Sequence, residues 1–126
     1  MESLKRDPSD DSPRVVLDKA GQILEISGKS LPEDVVDFYQ PILNWFHGYR
    51  ADPNPKTVVT FRFIYFNTAS SKMILDILMI LELMVEDGRD VLVRWESSGS
   101  DDDMQQAGRE YEDMVDVPFE HATFED

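Results

Sequence analysis

Apolar residues along the chain follow two periods in turn, and the switches between them mark the elements. Arg14-Val15-Val16-Leu17-Asp18 and Gln22-Ile23-Leu24-Glu25-Ile26-Ser27 read as two short strands. Gly21, in the Lys19-Ala20-Gly21 link, suits the tight turn of a hairpin. Ser30-Leu31-Pro32-Glu33 has the spacing of a capping box and predicts a helix start. Val35, Phe38, Ile42, Trp45, Phe46 and Tyr49 then recur on one helical face. Pro41 removes a backbone donor and is expected to bend or split that helix. Asp52-Pro53-Asn54-Pro55 ends it as a loop.

From Thr57 to Phe66 the period drops to two. Val59, Phe61, Phe63 and Tyr65 point one way, and Thr60, Arg62, Ile64 and Phe66 the other. Both sides are largely apolar, which predicts a central strand. A helix is expected from about Ser70 to Asp87, burying Met73, Ile74, Ile77, Leu78, Leu81, Met84 and Val85, with Gly88 as its C-terminal cap. Met79 falls off that stripe. Asp90 to Glu96 reads as a strand and Ser97 to Ser100 as a loop. A third helix turns Met104, Ala107, Tyr111, Met114 and Val115 inward. After Pro118, Phe119 to Phe124 fits a last strand. The order ββαβαβαβ predicts an α/β fold: one domain over residues 14–126, with a mixed sheet and right-handed crossovers. Residues 1–13 are polar, charged and Pro-containing, and read as a flexible tail.

Charge narrows the partners. The 126 residues carry a formal net charge of −14, which argues against nucleic acid and anionic membrane surfaces. With no cysteine, disulfides, thiol catalysis and thiolate metal sites are excluded. The N-terminal residues lack the apolar stretch of a secretory signal. The apolar helix at 73–85 is interrupted by Asp76 and Glu82, so no membrane insertion is expected and a cytoplasmic location is the default.

Catalytic signatures are missing. There is no Gly-rich phosphate loop, nucleophile elbow or His-Glu metal motif. His47 and His121 are far apart and outside any metal-ligand spacing. Asp101-Asp102-Asp103 reads as the negative first turn of the third helix; as a Mg²⁺ site it would lack an obvious further ligand. No cofactor and no enzymatic activity are expected.

The informative stretch is Phe66-Asn67-Thr68-Ala69-Ser70-Ser71-Lys72, where the strand period gives way to the helix period. A hydroxyl there lies beside the positive end of a helix dipole. Thr68 has two readings: a helix cap, or a phosphoacceptor left free because Ser70 or Ser71 supplies the cap. Trp45, Phe46, Tyr49 and Phe66 likewise read either as core or as an apolar contact patch beside this junction.

The junction resembles that of the STAS domains of anti-sigma-factor antagonists, where a serine or threonine between strand and helix is reversibly phosphorylated. Their common motif is Asp-Ser-Ser-Gly; here Asn67-Thr68-Ala69-Ser70 lacks both the acidic residue and the glycine. The chain is more similar to the SiaC family of bacterial regulatory phosphoproteins. The features that carry this are Ser30 to Glu33, Phe38 to Trp45, Phe61 to Lys72, Asp87-Gly88-Arg89 and Val91 to Trp95. The resemblance implies a STAS-like fold and a signalling role without catalysis. It implies that Thr68 is phosphorylated by a cognate serine/threonine kinase and dephosphorylated by a metal-dependent serine/threonine phosphatase. Asn67, Ser70, Ser71 and Lys72 would shape the switch loop and bind the partner. The unphosphorylated form would bind and activate a diguanylate cyclase, promoting cyclic di-GMP synthesis and biofilm formation. The alternative output is anti-sigma-factor antagonism; a metal-dependent hydrolase and an unmodified acidic adaptor are further rivals.

Overall fold

The computed structural model describes residues 1–125. Strands β1 (Leu4–Arg6), β2 (Arg14–Asp18) and β3 (Ile23–Ser30) precede helix α1 (Val35–Ala51). Then follow β4 (Lys56–Phe66), α2 (Thr68–Glu86), β5 (Asp90–Ser98), α3 (Asp102–Met114) and β6 (Phe119–Phe124). The six strands form one sheet in the order β1-β2-β3-β4-β5-β6. β1–β2 and β2–β3 pair antiparallel, and β3–β4, β4–β5 and β5–β6 pair parallel. After the first strand the order is the ββαβαβαβ read from the hydrophobic periods.

The three crossovers step along the sheet in one direction. Crossovers of one hand then place α1, α2 and α3 on the same face. Burial agrees: Thr57, Val59, Phe61 and Phe63 of β4 are buried, as are Val91, Val93, Trp95 and Ser97 of β5, while the residues between them are not. β4 is central in the sheet, but it is not covered on both faces. Its far side belongs to a charged ladder in which Arg62 lies 3.7 Å from Glu96 and Arg94 lies 2.6 Å from Glu96 and 3.2 Å from Glu120. The Arg62 guanidinium sits 3.9 Å from the centroid of the Phe124 ring.

A bulge changes which residues of β4 face the helices. Gly28 aligns with Phe63, but Lys29 aligns with Tyr65, so β4 carries one extra residue opposite β3. Gly28 has φ +107°, a left-handed conformation that suits glycine. Beyond the bulge the alternation slips by one. Tyr65, expected on the same side as the buried Phe61 and Phe63, is 52% exposed. Phe66, expected on the side opposite Phe63, packs against Phe63, Trp95 and Tyr111.

Local caps also differ from the pattern reading. Asp34, not Ser30, caps α1 and accepts the Asp37 amide at 3.0 Å. α1 runs unbroken through Pro41. Trp45, Phe46 and Tyr49 are all buried, because α1 packs against the sheet, α2 and the N-terminal segment together. In the hairpin turn the left-handed residue is Gln22 (φ 58°). Gly21 instead lies close to a side chain: a Cβ there would meet Asp18 Oδ2 at 2.6 Å, and that carboxylate would have to shift. Gly88 (φ +85°) closes α2 as expected.

The segment read as a flexible tail contributes an edge strand. Leu4 pairs with Leu17 and Arg6 with Val15. The Trp45 indole donates to the Glu2 carbonyl at 2.9 Å, and the Arg6 guanidinium lies 5.2 Å from the Phe38 ring centroid. Three residues of strand among charged neighbours leave too short an alternation to read from sequence. Among the described residues no helix is long and apolar enough to cross a membrane.

Candidate functional site at the start of α2

The parallel strands β3 and β4 end side by side, with Ser30 aligned to Phe66. The Asn67 amide donates to the Ser30 carbonyl at 3.1 Å, which pins the turn onto β3. Asn67 then caps α2: its side-chain oxygen accepts the Ser70 amide at 2.8 Å, and its carbonyl accepts the Ser71 amide at 2.9 Å. The expectation that Ser70 or Ser71 caps the helix is corrected, and α2 begins at Thr68 rather than near Ser70.

The three neighbouring hydroxyls have three fates. Ser70 is fully buried, with its Oγ 2.9 Å from Ser30 Oγ. The Ser71 hydroxyl turns back onto the Thr68 carbonyl at 2.6 Å. Thr68 is exposed at the first position of α2, and its hydroxyl makes no hydrogen bond among the described residues. Lys72, one turn further on, is also exposed.

Beneath Thr68 lies a polar cluster that sequence reasoning missed. Ser30, Ser70 and Tyr39 are all fully buried, and the Tyr39 hydroxyl bonds to Ser30. Burial pushes the Tyr39 phenol up to about 12, against the opposing pull of its bonds to Ser30 and Ser70. On the other flank the Tyr111 hydroxyl donates to the Ser71 carbonyl at 2.7 Å, tying α3 to the first turn of α2. Burial raises the Tyr111 phenol as well. Ser30 was read as a cap from its spacing to Glu33; the cue to its real place is the alignment of two parallel strand ends, which spacing along one strand does not carry.

A groove of about 220 Å³ opens between α2 and α3 beside this turn. Phe66, Leu75, Ala107, Tyr111 and Met114 line it, with Ser71, Lys72 and Glu110. Asp101 caps α3 by accepting the Met104 amide at 2.9 Å, and Asp102 and Asp103 occupy its first turn. Among the described residues no three histidine or carboxylate side chains converge to hold a metal ion. His121 pairs with Glu112 at 2.9 Å, and His47 is exposed on α1.

Known proteins share this architecture. A protein of Pseudomonas aeruginosa (strain UCBPP-PA14) described as uncharacterized is 28% identical over 96 residues, covering 76% of each chain. The crystal structure of apo-SiaC from Pseudomonas aeruginosa matches with a TM-score of 0.89 at 25% identity, covering 97% of this chain and 99% of that one. A chain in the crystal structure of the diguanylate cyclase SiaD in complex with its activator SiaC, also from Pseudomonas aeruginosa, matches with a TM-score of 0.90 at 25% identity, covering 96% and 99%. The family of SiaC family regulatory phosphoproteins matches residues 6–124, and the chain belongs to that family.

Proposed function

We propose that this protein is a non-enzymatic signalling switch: unphosphorylated, it binds and activates a diguanylate cyclase, and phosphorylation of Thr68 releases that partner. The observation that carries the reading is the division of labour at the junction. Asn67 supplies the cap, Ser70 is buried and Ser71 bonds the Thr68 carbonyl, which leaves the Thr68 hydroxyl exposed on the first turn with no hydrogen bond among the described residues. A kinase can reach it without unfolding the helix. Similarity to a SiaC that is the activator of a diguanylate cyclase supports the output.

Phosphorylation adds about −1.5 to −2 charges and three acceptor oxygens at neutral pH. A partner docked over the junction must desolvate that group. A loss of about 3 kcal/mol weakens a complex more than a hundredfold. The kinase supplies ATP and Mg²⁺, and a metal-dependent serine/threonine phosphatase resets the switch, so the chain needs no cofactor. Both reactions belong to the cytoplasm.

The test combines the cognate kinase, peptide-level mass spectrometry and cyclase assays. One phosphate on Thr68, none on Thr68→Ala, and cyclase stimulation by the unmodified form alone are expected. Phosphorylation of Thr68→Ala to the wild-type extent, or equal stimulation by both forms, would overturn the reading.

A further inference from the structure

Thr68 is bracketed by two bonds to a single residue of β3. Asn67, just before it, donates its amide to the Ser30 carbonyl at 3.1 Å. Ser70, two places after it, accepts the Ser30 hydroxyl at 2.9 Å. A serine hydroxyl has one proton. Ser30 gives it to Ser70 and therefore accepts its other bond from the Tyr39 hydroxyl. The chain of donors runs from Tyr39 on α1, through Ser30 at the end of β3, into the first turn of α2. All three side chains are fully buried. Stability alone does not call for such a chain, because apolar groups of the same shape at both ends of a buried hydrogen bond are nearly neutral for folding. What a satisfied chain adds is direction: it rigidifies its surroundings and selects one arrangement. Here the arrangement selected is that of the turn carrying Thr68.

We infer that Ser30, Tyr39 and Ser70 are positioning residues for the phosphorylation of Thr68: their buried hydroxyl chain holds the first turn of α2 in the orientation that presents the threonine oxygen to the kinase. This rests on the functional reading above and adds what sets the geometry of its chemical step. In that step Thr68 Oγ1 forms a bond to the γ-phosphorus of ATP as the bond to the ADP oxygen breaks, and the threonine proton passes to a base of the kinase. Attack needs an aligned approach at about 3–3.5 Å, and a misplacement of about 1 Å costs about a hundredfold in rate. Buried side chains do not touch the kinase. Their effect therefore falls on the rate of transfer and not on recognition of the chain.

The experiment measures kcat and KM of the cognate kinase with the full chain as substrate, at a temperature where circular dichroism shows each variant folded. Ser30→Ala and Tyr39→Phe are each expected to lower kcat about tenfold or more and to leave KM within about twofold. The double variant should be little slower than either single one, because one break already frees the turn. The control is a second buried pair at the opposite end of β4, where the Tyr49 and Thr57 hydroxyls bond at 2.8 Å. Thr57→Val also removes a buried hydroxyl, and should leave kcat and KM within about twofold. Tyr39→Phe deletes one oxygen and keeps the ring, so it carries the test where Ser30→Ala does not fold. Wild-type kcat in the folded variants overturns the positioning role and leaves the switch standing. A loss confined to KM, or an equal loss of kcat in Thr57→Val, overturns it as well. If the kinase places no phosphate on Thr68 of the wild type, both readings fall.

Discussion

The side-chain oxygen of Asn67 lies 2.8 Å from the backbone nitrogen of Ser70 and accepts its hydrogen bond. This one contact makes Asn67, and not Thr68, the side chain that caps α2. Asn67→Ala removes the cap and should cost about 1 kcal/mol of unfolding free energy. Thr68→Ala, one residue on, should change stability by no more than about 0.5 kcal/mol, because the threonine is exposed and its hydroxyl makes no hydrogen bond among the described residues. Urea unfolding of the two variants checks the order. A larger loss for Thr68→Ala would mean that the threonine is the structural residue.

Much of this junction was legible in the residue pattern. The change from strand period to helix period located it, and the hydroxyl cluster marked it. The choice among hydroxyls was not legible, because it depends on contacts across the fold. Ser70 is buried because Ser30 meets it from β3, forty residues away in sequence. The bulge opposite Gly28 had the same effect on Tyr65 and Phe66: an alternating pattern cannot show where a partner strand drops a residue. By contrast the Gly88 cap and most of the α2 stripe are local: Ile74, Ile77, Leu78, Leu81 and Met84 are buried as expected, while Met73 and Val85 are only partly buried and Ile80 is buried besides. Trp45, Phe46 and Tyr49 exceeded one narrow stripe, yet all are buried, because α1 has three neighbours rather than one.

The buried Tyr39 phenol gives stability an alkaline limb. Its ordinary value is 10.0, and in the fold it is pushed up to about 12. The unfolded chain therefore releases this proton first as pH rises. The stabilisation is complete below about pH 10 and is lost as pH climbs through about 12, at most roughly 2 to 3 kcal/mol. Tyr111, also raised by burial, acts in the same direction. Tyr39→Phe should cost roughly 1 kcal/mol at neutral pH through its lost hydrogen bond, and should make the decline above pH 10 shallower. Denaturant unfolding of both proteins between pH 8 and 12 measures this; parallel declines would exclude Tyr39 as a source.

Two helical glycines should respond in opposite directions to the same substitution. Gly108 on α3 faces Trp95, and a Cβ there would stand 2.4 Å from the indole Cδ1. The indole cannot retreat: it is 1% exposed, donates to the Met104 carbonyl at 3.0 Å and packs among Phe61, Phe63 and Tyr111. Overpacking of this kind costs about 1–3 kcal/mol and outweighs a helix-propensity gain of up to about 1 kcal/mol. Gly108→Ala should therefore destabilise the protein. Gly48 is exposed on α1, and its added methyl would meet only the tip of the Met1 side chain at 3.4 Å. Gly48→Ala should raise the unfolding free energy by some tenths of a kcal/mol, up to about 1. Thermal melts compare the pair directly.

The N-terminal strand is held by main-chain pairing with β2 and by burial of the Leu4 side chain. Leu4 packs against the core, and Trp45 is only 7% exposed with its indole N–H on the Glu2 carbonyl. Deleting residues 1–6 uncovers both Trp45 and the edge of β2. The lost burial of one leucine and part of one indole amounts to about 2 kcal/mol, and Tm should fall on the order of 5 °C. Fluorescence resolves where the change occurs. Of the two tryptophans, Trp95 is deep under α3, so a red shift in the deletion that vanishes in a Trp45→Phe background reports Trp45 alone. Glu2→Ala should leave emission and Tm essentially unchanged, because the acceptor is the backbone carbonyl and not the carboxylate. A Glu2→Ala effect as large as the deletion would instead place the contribution in the side chain.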